Sequence, residues 1–232
     1  VSPLAPPAHG VLVPGKDGRR RCFGNGANQA FYAHYHDTEW AVPVHDDRLL
    51  FETLILEGAQ AGLSWETVLK KRAGYRRLFR GMDPVRVARM RDASLEAVLL
   101  DPAIVRHRQK VYSARANAQA FLDIQAAHGS FSAWLWDFVD GRPIVNAWQR
   151  PDQVPTRTAL SDAVSQALKA AGMSFVGSTI VYAWLQGVGL VDDHLCDCWC
   201  RTRTDAPDTG QAGGSGGGSG GGSGGGSVGG RA

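Results

Sequence analysis

Apolar positions along the chain recur at helical rather than alternating spacing. Leu50, Phe51, Leu54, Ile55 and Gly58 form one stripe behind Asp46 and Asp47, residues suited to capping a helix start, so a helix is predicted up to the break at Gly62, with Glu57 near its end. Ser64 is placed to cap a second helix bearing Trp65, Val68, Leu69, Tyr75, Leu78 and Phe79. Lys70, Lys71, Arg72, Arg76 and Arg77 surround that stripe and read as a basic exposed face. Asp83 before Pro84 is a cap with proline at the first helical position. Ser94, Leu95, Val98 and Leu99 predict another short helix, and Val111, Ala114, Ala118, Phe121 and Leu122 a long one over residues 105–125. Three more are expected at 131–139, 161–171 and 178–187. Residues 144–157 read as irregular, and no stretch alternates as a strand would. The pattern predicts an all-α fold of about eight helices.

Composition divides the 232 residues. Residues 1–20 are rich in proline and glycine and read as a flexible arm, 21–203 as the folded domain, and 204–232 as a Gly/Ser-rich tail whose Gly-Gly-Gly-Ser repeats cannot hold a core. A body of about 190 residues buries enough apolar surface to fold without disulfides. The net charge of +3 permits an anionic partner without demanding one. Arg19, Arg20 and Arg21 read as a solvated basic patch, with a phosphate contact as the alternative. Three of the four cysteines alternate at Cys196, Cys198 and Cys200, which suits a reduced protein better than a disulfide framework. No apolar run nears the roughly 20 residues that cross a bilayer, and no signal-peptide pattern is present, so a soluble cytoplasmic protein is expected.

Three features carry candidate chemistry. The segment GMSFVG, residues 172–177, joins the last two helices through a glycine-flanked turn. It leaves backbone N–H groups at a helix N-terminus, where the dipole favours an anion. Such a hairpin grips phosphate through backbone alone and suits sequence-independent DNA binding; a plain hairpin packed in the core is the other reading. Glu57 stands in LILEGAQAGLSW, with no basic residue between Glu52 and Lys70. Buried there, a carboxylate is costly unless it meets donors or a cationic ligand; at a helix end it could instead face water or bond to backbone. Tyr35 and Trp65 offer flat faces to a positively charged ring, or belong to the core. Cys22 with His36, and His194 with Cys198, would together supply four ligands for tetrahedral zinc. Buried free thiols and a surface histidine are the alternative, and Cys196 or Cys200 could replace Cys198. No lysine follows Lys169, which excludes a Schiff-base lyase using the helix after the hairpin.

Five stretches in order, YHDTEW (35–40), LEGAQAGLSWETVLKKR (56–72), IVRHRQK (104–110), FVGSTIVY (175–182) and GLVDDH with Cys198 (189–198), resemble the 3-methyladenine DNA glycosylase I (TAG) family. The resemblance spans about residues 21–198. It implies a helix-hairpin-helix repair enzyme, acting as a monomer on alkylated double-stranded DNA, that flips a damaged nucleotide and hydrolyses its N-glycosidic bond. It further implies one structural zinc on Cys22, His36, His194 and Cys198, clasping the two ends of the domain. Glu57 would be the catalytic-pocket carboxyl that accepts hydrogen bonds from the lesion base, Tyr35 and Trp65 would stack on that base, and Tyr32 would line the pocket. Gly62 and Leu63, in the loop between two helices, would lie near the gap left by the flipped nucleotide. Phe175, Val176 and Gly177 would form the phosphate-binding hairpin.

Two departures stand out. The family often carries a tryptophan soon after the first zinc cysteine, where this chain has Phe23 followed by GNGANQ. Asp192 and Asp193 lie where related enzymes place a catalytic aspartate, although Asp193 could simply support the adjacent His194. The competing functional readings are a non-catalytic zinc-stapled DNA-binding module and a zinc hydrolase in which the metal does the chemistry.

Overall fold

A computed structural model describes residues 12–60 and 62–201. It contains α1 (Ala30–Thr38), α2 (Asp47–Gln60), α3 (Trp65–Lys70), α4 (Arg72–Leu78), α5 (Pro84–Ala88), α6 (Asp92–Leu100), α7 (Arg108–His128), α8 (Phe131–Asp137), α9 (Ala159–Ala170) and α10 (Ser178–Gly187). No helix among the described residues is long and apolar enough to cross a membrane.

The mostly helical expectation holds, with three differences. A helix forms at α1, where clustered aromatics and histidines obscure any apolar stripe and Gln29 gives no side-chain cap. The predicted helix from Ser64 to Phe79 is two, broken at Lys71. The irregular stretch after α8 contains β1 (Ile144–Val145), paired in parallel with β2 (Val191–Asp192). Two residues per strand are too few to leave an alternating signature.

Helix α2 is the spine. Asp46 accepts the Leu49 N–H at 2.7 Å, as a cap should. Asp47 does something the sequence does not disclose: its carboxylate accepts the backbone N–H groups of Phe131 and Ser132 and the Gln125 amide, so it caps α8 across the fold. Leu50, Phe51, Leu54, Ile55, Leu56 and Ala59 are all buried, because α2 packs against α3, α7, α8 and α10 together. Glu52 survives in that interior by meeting Arg72 and Arg76. With Lys70 on Glu66 and Arg77 on Asp101, the predicted basic face is largely neutralised by its own ion pairs.

The flexible-arm expectation for residues 1–20 fails over 12–20, while 1–11 and the tail from 202 lie outside the described residues. Pro14 bridges Arg20, and Leu12 packs with Leu195, Cys198 and Cys200. Of the three arginines, Arg19 and Arg20 are exposed as expected, and only Arg21 leaves the solvated patch. Arg21 is buried between Asp17 and Asp37, Arg20 pairs with Asp197, and Arg19 lies 4.1 Å over the Trp199 ring.

Candidate active site and metal centre

Glu57 sits on the third turn of α2, 4 % exposed. Its Oε2 has no hydrogen-bond partner among the described residues. Burial alone pushes the carboxyl up to about 8, so near neutrality it holds a proton. The sequence alternatives, a water-exposed or backbone-bonded carboxylate, therefore do not describe it.

Tyr32 and Tyr35 lie near this carboxyl, and Trp65 packs against Tyr35. Tyr35 on α1 is buried, and burial, then the proximity of Glu57, pushes its hydroxyl well above the usual range. Trp65, the first residue of α3, lies tilted to Tyr35 with centroids 5.9 Å apart. Tyr32, one turn before Tyr35 on α1, is stacked parallel to it at 6.3 Å. Gly187, at the end of α10, lies close by: a methyl group there would come 3.4 Å from the Tyr35 hydroxyl and 3.8 Å from Glu57 Oε1. Sequence reasoning missed Gly187, because nothing in a helix-end glycine announces a pocket floor.

Gly62 has φ 86° and Leu63 is exposed just ahead of α3, whose start Ser64 caps through the Thr67 N–H. The 172–177 turn packs directly on α2. Gly58 approaches it so closely that a methyl on Gly58 would lie 3.2 Å from the Phe175 carbonyl oxygen. Phe175 has φ 58°, the left-handed region that costs a non-glycine residue energy, and its neighbours hold the turn in place. Asn117, buried on α7, donates to the Ser174 carbonyl and accepts the Ser174 N–H, each at 2.9 Å. Ser165 on α9 donates to the Val176 carbonyl at 2.6 Å. Gly177 then caps α10 without a side chain, and no acidic residue enters that helix's first turn. Neither Asn117 nor Ser165 carried a sequence signal, since a mid-helix polar residue is normally read as exposed.

The second cluster joins the ends of the chain. One ligand atom each from His36, His194, Cys198 and Cys200, all buried, lies within 4.8 Å of the other three. His36 Nδ1 meets Asp37 at 2.9 Å and His194 Nδ1 meets Asp192 at 2.7 Å, which leaves each Nε2 as an acceptor; that of His36 takes the Cys22 backbone N–H at 3.3 Å. His194 Nε2 is buried with no partner. His36 Nε2 lies 3.5 Å from Cys198 Sγ, close to the roughly 3.6 Å that tetrahedral zinc sets between nitrogen and sulfur ligands. An orphaned imidazole nitrogen among soft donors fits a metal ion. Cys22 stands beside this group: its thiol touches Cys198, and its Sγ accepts the Leu195 N–H at 3.4 Å. Cys196 is exposed and bonds to Gln149, so it does not join. Turns at residues 196–197 and 199–200 carry this segment.

Aromatic contacts connect the two clusters. Phe23 stacks on Tyr32 at 4.6 Å and meets His36 edge-on at 4.7 Å, and His36 meets His194 at 5.1 Å. The residue that departs from the family pattern thus forms a wall between pocket and metal-type cluster. Asp192 is committed to His194, and Asp193 accepts from Asn146, Trp148, Tyr182 and Gln186. Neither is presented to the pocket as a base.

A helical body thus holds a buried carboxyl, without a partner among the described residues, close to aromatic rings and to a backbone hairpin. The family model described as methyladenine glycosylase matches residues 26–202, and this chain belongs to that family. A relative from Haemophilus influenzae named DNA-3-methyladenine glycosylase is 46 % identical over 174 residues, covering 75 % of this chain and 94 % of the relative. The crystal structure of 3-methyladenine DNA glycosylase I (TAG) is 45 % identical with a TM-score of 0.75, covering 78 % of this chain and 99 % of the other. A Staphylococcus aureus structure, described as the structural basis of 3-methyladenine recognition by the same enzyme, is 36 % identical with a TM-score of 0.74, covering 77 % of this chain and 95 % of the other.

Proposed function

We propose that this chain is a monofunctional DNA glycosylase that takes 3-methyladenine out of alkylated double-stranded DNA, working as a monomer. The observation that carries the reading is the Glu57 carboxyl, buried without a partner between Tyr35, Trp65 and the Gly187 floor. The reading also rests on the family and on the named activity of relatives that this chain covers almost end to end. One chain supplies pocket, hairpin and metal ligands, which supports a monomer. The proposed domain is the segment 21–203, of which residues 21–60 and 62–201 are described, and residues 12–20 pack onto it.

N3-methylated adenine is cationic in DNA, so its glycosidic bond is weak and the base leaves neutral, taking the bonding electron pair. Water adds at the sugar carbon and gives up a proton. The protein's work is access and selection. Flipping costs a few kcal/mol. Stacking on Tyr35 and Trp65, with Tyr32 beside them, offsets part of it through contact with a positive ring. Glu57 is protonated in the empty pocket; a cationic base favours its carboxylate, and the released proton goes to solvent. The carboxylate then accepts hydrogen bonds from the base. Neutral adenine gives no such gain, which is the basis of selection. Leu63 and Gly62 lie at the gap left by the nucleotide, and the backbone of Phe175, Val176 and Gly177 holds a phosphate at the start of α10.

Zinc on Cys22, His36, His194 and Cys198 fits the orphaned His194 nitrogen and the two Asp-held imidazoles. When bound, it supplies a closed tetrahedral clasp that holds α1, and with it Tyr35, against the C-terminal segment. Zinc-hydrolase chemistry is disfavoured because four protein ligands leave no coordination position open for water. A non-catalytic DNA-binding module would not need a partnerless carboxyl in its pocket. The test is release of free 3-methyladenine from methylated duplex DNA, followed by chromatography; no release of any methylated purine overturns the proposal.

A further inference from the structure

The metal-type cluster has one donor too many. A tetrahedral ion takes four ligands, and five converge here: Cys22, His36, His194, Cys198 and Cys200. Cys198 is the hinge of the arrangement, since its thiol touches both Cys22 and Cys200. Cys198 Sγ lies 3.5 Å from His36 Nε2, whereas Cys200 Sγ lies 3.8 Å from the Nδ1 edge of the same ring, beside Asp37, and must swing past that edge to share the ion. One ligand atom each from His36, His194, Cys198 and Cys200, all buried, lies within 4.8 Å of the others. Cys22 is more exposed than any of these and comes from the segment ahead of α1.

We infer that Cys200 is a metal ligand in its own right, able to hold the coordination position that Cys22 takes. Two complete sets then share His36, His194 and Cys198 and differ only in the fourth ligand. This rests on the zinc reading above and goes beyond it, since it adds a residue and a consequence. The ion stays bound to α1 and the C-terminal segment whether or not Cys22 is attached. The segment ahead of α1 does not depend on the metal to stay in place, because Arg21 fastens it independently to Asp37 through two hydrogen bonds at 2.8 Å. A thiolate exchange between Cys22 and Cys200 requires only local movement, as both already lie against Cys198.

The experiment uses the full chain and its Cys22→Ser, Cys200→Ser and doubly substituted variants. Zinc per chain is measured on purified protein, and cobalt-substituted samples are read for tetrahedral absorption and for thiolate-to-metal charge transfer. Each single variant is expected to keep about one metal ion with two thiolates, and the double variant to lose the ion or retain a one-thiolate site. Loss of the ion from Cys22→Ser alone, with or without loss of fold, overturns the proposal. So does an intact two-thiolate spectrum in the double variant. If the unsubstituted chain itself binds no zinc or cobalt, the clasp reading fails first, and the two failures are thereby distinguished.

Discussion

Gly58 meets the carbonyl of Phe175 at a distance that leaves no comfortable room for a side chain, since a methyl group there would lie only 3.2 Å from the oxygen. The residue after the pocket carboxyl therefore touches the proposed phosphate-binding turn. Base recognition and backbone grip share one rigid contact. In Gly58→Ala, improved helix propensity, about 1 kcal/mol, opposes overpacking of about 1–3 kcal/mol. The melting temperature should move by only a few degrees. kcat/KM on lesion DNA should fall severalfold, because the turn is displaced relative to Glu57. Unchanged kinetics would show that the two sites are not coupled through this contact.

Asn117 holds Ser174 from both sides, so Asn117→Ala leaves a backbone donor and acceptor without partners. A loss of about 1–3 kcal/mol in stability is expected. Affinity for duplex DNA, damaged or not, should drop, while binding of free 3-methyladenine to the pocket stays near the unsubstituted value. Calorimetry with the two ligands separates these outcomes.

Burial holds the folded Glu57 carboxyl near 8, against about 4.5 in the unfolded chain. The folded state thus keeps a proton that the unfolded state has released between those values, and stability falls as pH rises through that window. Glu57→Gln removes the slope. The variant should match the unsubstituted protein near pH 4 and exceed it at pH 8 and above, by up to about 5 kcal/mol at 1.36 kcal/mol per pH unit. Urea titrations at the two pH values read the difference directly.

Asp193 is saturated by Asn146, Trp148, Tyr182 and Gln186, which ties β2, α10 and the loop after β1 together. Asp193→Asn should cost about 2–3 kcal/mol, yet leave the shape of the pH profile of base release unchanged. A lost limb in that profile would restore Asp193 as a catalytic base.

Much of this was legible in the chain. The caps at Asp46, Ser64 and Asp83 and the apolar spacing of α2 and α7 follow from the sequence, although α2 is buried on nearly every side. Glu57 stood out because apolar neighbours surround it in sequence as well as in space. Partnerships across the fold were not legible. Glu52 and Glu57 look alike on α2, and only tertiary structure gives two arginines to one and none to the other. Ligand spacing cannot rank Cys196, Cys198 and Cys200, which lie two residues apart; the grouping of Cys198 and Cys200 with His36 and His194 can.

The central claim is that Glu57, Tyr35 and Trp65 form a pocket that selects and releases a cationic base. Single-turnover excision from duplex DNA carrying 3-methyladenine, with Glu57→Gln alongside, tests it most directly. The account predicts free 3-methyladenine from the unsubstituted chain and a rate at least about tenfold lower from the variant, equal to about 1.4 kcal/mol, with undamaged DNA still bound. Equal rates from the two proteins would contradict it.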